Sequence, residues 1–218
     1  MAITTEPRQL LQLLAFMSPA FPIGSFAYSH GFEWVIDDGQ MKSADDVREW
    51  IESLLVHGSG WNDAVLFAAA YDASEEVRME IDELALALAA SRERALEIAD
   101  LGQSFAKAAA ILSSGKVVNF QAYPVVVAAA CKFVGIDKCS GLLAYFQAFS
   151  NNLIAVALRL IPLGQTKGLE VMRNLMPIIT KTAERAMGAT LDDLGSSTLL
   201  SDVASMKHET QYSRVFRS

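Results

Sequence analysis

Two long apolar runs, residues 117–134 and 142–161, decide most of what this chain can become. Each approaches the roughly 20 residues that a membrane-spanning helix needs. Neither is clean: the first carries Asn119, Gln121, Pro124 and Lys132, and the second Gln147, Ser150, Asn151, Asn152 and Arg159. Charges and amides at mid-bilayer are costly, whereas both runs suit helices buried in a protein core. The reading is therefore core helices and no membrane. The N-terminal MAITTEPRQL has no basic stretch before an apolar one, so no signal peptide is expected. A cytoplasmic chain is the expectation. At 218 residues it can bury one sizeable core. An apolar fraction of 52% then leaves a surplus that a protein interface could absorb, and a homodimer is expected on that ground.

Charge is unevenly spread. Residues 33–100 hold 17 acids and 5 bases, whereas residues 101–218 hold 7 acids and 12 bases. Such asymmetry suits oriented docking on protein partners. No basic run of nucleic-acid type is present. Cys131 and Cys139 stand eight apart with no histidine pair nearby, and read as two reduced thiols.

Every strongly periodic segment reads as helix. The first spans 7–17 and stops before Pro19 and Pro22, and a short one spans 26–38 and ends at Gly39. Ser43 with Asp46 forms a capping box for a helix to about His57. Gly58 and Gly60 are expected to break it, with Asn62 or Asp63 capping the next. Ser74 opens another helix, and Ser91 either caps a new one or continues a bent one to Leu112. Ser113-Ser114-Gly115 reads as a turn. A helix over 123–134 has Pro124 in its first turn, Asp137 opens the long apolar helix, and Pro162 closes it. Helices at 163–176 and 177–188 follow, and periodicity weakens from Thr190. The fold class is all-α: a single-domain helical bundle over 1–218 of roughly eight to ten helices, with a less ordered C-terminal tail over 190–218.

Catalytic signals are weak. Ala27-Tyr28-Ser29-His30-Gly31 has the outline of a nucleophile elbow, but that geometry needs a strand running into the serine on a β/α scaffold. Ser29 and His30 are instead expected on consecutive positions of a helix. A serine hydrolase with Ser29 as nucleophile stays a remote alternative. LSSGKVV lacks the first glycine of a phosphate-binding loop and has Val117 in the Ser/Thr slot. The three histidines are scattered, and Glu33 with Asp37 reads as a solvated helix face. No cofactor or metal ligand set emerges, and the chain reads as an interaction protein, not an enzyme.

Residues 18–33 (SPAFPIGSFAYSHGFE), 142–166 (LLAYFQAFSNNLIAVALRLIPLGQT) and 202–218 (DVASMKHETQYSRVFRS), in that order, closely resemble the UreF family of urease accessory proteins. The most specific parts are Arg159 to Gln165 and the terminal segment from His208 to Phe216. Phe32 and Val215 are mild departures, standing where leucine is usual. The resemblance implies an all-α homodimer that helps deliver nickel to apo-urease, in complex with UreD (also called UreH) and the GTPase UreG. It also implies partner-binding roles for Ser25, Tyr28, His30 and Glu33, and for His208, Glu209, Thr210, Tyr212, Ser213, Arg214, Phe216 and Arg217.

Two alternatives stay open at this point. The 18–33 stretch either meets a partner or only shapes a turn, with Ser25 capping the next helix and Phe26 and Tyr28 packed in the core. Tyr212, Arg214, Phe216 and Arg217 have the composition of interface anchors, but they also suit a segment docked on its own domain. A regulator that stimulates the UreG GTPase, with Arg214 near the phosphates, is the alternative function.

Overall fold

A computed structural model describes residues 6–113, 115 and 120–218, and no strand occurs among them. Helix α1 spans Pro7–Phe16, α2 Phe32–Asp37, α3 Ala44–His57, α4 Ser59–Asp72 and α5 Glu75–Ala87. Then come α6 (Arg92–Leu112), α7 (Tyr123–Val134), α8 (Lys138–Leu160), α9 (Gln165–Met187) and α10 (Leu199–His208). Short 3₁₀ turns lie at Ser25–Ala27 and Leu191–Asp193.

The helix starts follow their caps. Ser43 Oγ accepts from Asp46 N–H at 3.2 Å while the Asp46 carboxylate accepts from Ser43 N–H at 2.9 Å, so α3 opens with both donors satisfied. Ser74, Ser91 and Asp137 cap α5, α6 and α8 with the first half of this arrangement, each side chain accepting the N–H three residues on. Gly135 ends α7 at φ 79°, where a side chain would be strained.

α7 packs against both α4 and α6 and also meets α8, while α4 in turn packs against α3, α8 and α9. Val125, Val126, Val127 and Cys131 of α7 are fully buried, which is why its β-branched run tolerates a helix: packing overrides propensity. Burial pushes the Cys131 thiol up to about 12, and neither cysteine is in a disulfide. α8 is long and apolar enough by length and composition to cross a membrane, but half of that stretch is buried against the rest of the fold.

Four expectations change. Gly60 lies inside α4, where a Cβ would come within 3.0 Å of the Leu54 carbonyl, so it permits close approach of α3 and α4 and breaks nothing. α4 therefore starts at Ser59, ahead of Asn62 and Asp63. The helices expected at 163–176 and 177–188 are one, α9 (Gln165–Met187), with Pro177 inside it. Pro177 is exposed, so the carbonyl it leaves unpaired faces water. The 26–38 segment is split: residues 28–31 are not helical, with His30 at φ 55° and Gly31 at φ 80°. Finally, residues 209–218 lack regular structure but are docked, with Phe216 only 5% exposed. Of the expected 113–115 turn, Ser113 caps α6 and Gly115 has φ 85°, while Ser114 lies outside the described residues.

Candidate functional site

The two segments singled out in the sequence, 18–33 and 202–218, meet. Gly24 adopts φ 76° and starts the 3₁₀ turn at Ser25, which does not cap it through its side chain as expected. Tyr28 then runs extended, and Gly31 brings the start of α2 against α10. A Cβ on Gly31 would fall 2.9 Å from Ser205 N, so only glycine fits both the backbone and the contact.

The tail from His208 to Ser218 folds back into the corner between this loop and the first turns of α6. His208 is wholly buried, with Nδ1 2.7 Å from a Glu93 oxygen and Nε2 3.2 Å from a Glu33 oxygen. Glu33 also accepts the N–H groups of Val215 (2.6 Å) and Phe216 (2.8 Å). Arg214 donates to Glu93 at 2.8 Å. Arg217 N–H donates to the Ala27 carbonyl at 2.7 Å, and Ser29 N–H donates to the Ser218 carbonyl. The Phe216 ring is buried beneath the Arg159 guanidinium, 5.8 Å from its centroid. The sequence pattern puts Glu33 on a solvated helix face. It is buried because a segment some 180 residues away covers it.

A second charged group lies one turn further along α6. Arg94 pairs with Asp63 at 2.8 Å and with Glu97 at 3.1 Å, and His30 Nδ1 is 3.3 Å from Glu97. Burial opposes ionisation of Glu97, but Arg94 and His30 outweigh it and hold the carboxyl at about 2. Tyr145 donates to Asp63 at 2.8 Å. Tyr28 donates to Asp100 at 2.7 Å, and burial followed by that bond pushes its phenol up to about 12. A cavity of about 420 Å³ opens beside this group, lined by Asp63, Arg94 and Glu97 together with Ser25, Phe26 and Arg159.

The tail closed over Glu33 and Glu93 forms a clasp, and the remaining expected residues fall on both sides of it. Glu209 accepts from Arg92 N–H at 2.9 Å, and the Thr210 hydroxyl donates to the Lys207 carbonyl at 3.3 Å. Tyr212, at 106% exposure, and Ser213 face outward, as does the Arg217 side chain, 3.8 Å from Asp100. Phe26 is exposed and Tyr28 buried, so the expected core pair is half right. Ser29 is fully buried, and its hydroxyl accepts from Glu33 N–H at 3.4 Å. It precedes α2 and does not share a helix with His30, and no strand leads into it. An elbow needs that strand and an exposed hydroxyl.

Sequence reading missed Asp63, Glu93, Arg94, Glu97 and Asp100. One signal was available: Arg94 and Glu97 occupy helical positions shared with Ile98, Leu101 and Phe105, so charge falls on an otherwise apolar face. Among the described residues no group of His, Cys, Asp and Glu is arranged to hold a metal ion, and Glu33 and Glu93 each hydrogen-bond to the His208 ring.

The UreF family model matches residues 41–176. The urease accessory protein UreF of Roseobacter denitrificans is 44% identical over 208 residues, covering 95% of this chain and 93% of that protein. The chain belongs to the UreF family of urease accessory proteins. The UreF of Ruegeria pomeroyi is 41% identical with both chains fully covered, and that of Mesorhizobium japonicum is 45% identical over 99% of this chain and all of that one. The family match includes α3 to α8 and part of α9, and with them Glu93 and Arg159, whereas the 18–33 and 202–218 segments lie on either side of it; the full-length relatives extend across both.

Proposed function

We propose that this UreF-family chain is a non-enzymatic scaffold, acting as a homodimer, that bridges UreD (UreH) and the GTPase UreG during nickel insertion into apo-urease. Nickel is cargo in this reading. The observation that carries it is the clasp, whose inner side is fixed by Glu33, Glu93 and His208 while Tyr212 and Val215 stand exposed on its outer side. Aromatic and arginine side chains on a fixed backbone bind at low entropic cost, as interface anchors do. Arg214 serves the clasp through Glu93, which favours a positioning role over one at a nucleotide.

Tyr212 makes the cleanest test, because it supports nothing inside the fold. Tyr212→Ala should leave the melting temperature within about 1 °C of wild type, while co-purification with UreD falls by about 10-fold or more, as for a hot-spot residue. Undiminished capture would remove the tail's outer face from the interface. The dimer is read separately by light scattering. A lone 23.7 kDa species throughout the micromolar range would refute it.

A further inference from the structure

We propose that the C-terminal tail is held by a proton-dependent latch centred on His208. Both ring nitrogens of this buried side chain face carboxylate oxygens, Nδ1 toward Glu93 and Nε2 toward Glu33. An ionised carboxylate only accepts, so each contact needs an N–H from the ring. A neutral imidazole carries one N–H and the imidazolium carries two. The docked tail therefore holds a proton on His208.

The charges around the ring close on this form. α2 contributes Glu33, α6 contributes Glu93, and the tail contributes Arg214, which reaches His208 only through Glu93. With the imidazolium the group is neutral overall, and without that proton it carries one buried negative charge. Further out, Glu209 is turned to the Arg92 N–H, Lys207 is exposed, and Asp63, Arg94, Glu97 and His30 pair among themselves one turn along α6. None of these contacts the His208 ring.

Loss of the proton does more than remove one hydrogen bond. It points a nitrogen lone pair at a carboxylate oxygen in a site with no recorded exposure. Glu33 is the group that accepts Val215 and Phe216, so the strain falls on the contacts that seat the tail. Docking is thus favoured while His208 is protonated and Glu33 and Glu93 are ionised, and it weakens as pH rises and the proton leaves. The latch lies within one chain and is independent of the bridging role.

Amide exchange of Val215 and Phe216 in the full chain, followed by NMR from about pH 6 to about pH 9, tests it. After correction for intrinsic exchange, protection at both amides should fall with rising pH, approaching tenfold per pH unit, while Val126 in α7 stays protected. His208→Gln should show lower protection with no such slope. Should that variant fail to fold, Glu93→Gln supplies the check: with one carboxylate fewer, its midpoint should move to lower pH. A flat wild-type profile, the same slope in His208→Gln, or an unmoved midpoint in Glu93→Gln would each overturn the latch.

Discussion

Glu97 shows how a single buried carboxylate links this fold to pH. Its ordinary value of 4.5 is brought down to about 2, burial working against the shift while Arg94 and His30 drive it. A depressed carboxylate stabilises the folded state above its unfolded value, and that contribution is lost as pH falls through the folded one. Thermal melts should therefore drop between pH 4.5 and about 2, with a shallower drop in Glu97→Gln. An equal slope in the variant would assign the acid sensitivity elsewhere. Glu33 carries the residue-scale lesson about legibility. Its helix neighbour Asp37 is exposed as local pattern suggests, yet Glu33 is covered by backbone from residues 215 and 216. Periodicity reports which face of a helix is apolar, and it is silent on a polar contact made by a remote segment.

At the scale of elements, caps were the legible part. Ser43, Ser74 and Asp137 act where their spacing places them, and Ser91 takes the capping one of its two open readings, because a cap is decided within three or four residues. Glycine and proline misled where packing gave them another use. Gly60 serves the contact of α3 with α4, and Pro177 lies on the wet side of α9. An exposed proline inside a helix still forfeits a hydrogen bond and crowds the preceding turn. Pro177→Ala should accordingly stabilise the protein by about 1–3 kcal/mol, read as a higher urea midpoint at unchanged slope. A loss of stability would mean that the proline bends α9 into a shape the core requires.

For the whole molecule, the docked tail revises what removal of the C-terminal segment should do. From sequence alone, residues 208–218 look dispensable for folding. The structure buries His208 and Phe216 and sets Glu33 and Glu93 against tail donors. Deleting residues 209–218 exposes the Phe216 site, worth about 1.5–3 kcal/mol, and leaves both carboxylates with fewer partners. The truncated chain should melt several degrees lower as well as fail to capture UreD. Wild-type melting with loss of capture alone would show that the tail contributes nothing to the core.

The clasp also sets an order of events during synthesis. Val215 and Phe216 contact a carboxylate 182 and 183 residues earlier in the chain. So long a closure gives no help to early folding and must wait until translation has passed residue 216. Until then the corner between α2 and α6 has its charges and lacks its cover. Seating the tail is therefore a late step, and it marks a chain whose other helices have already found their places.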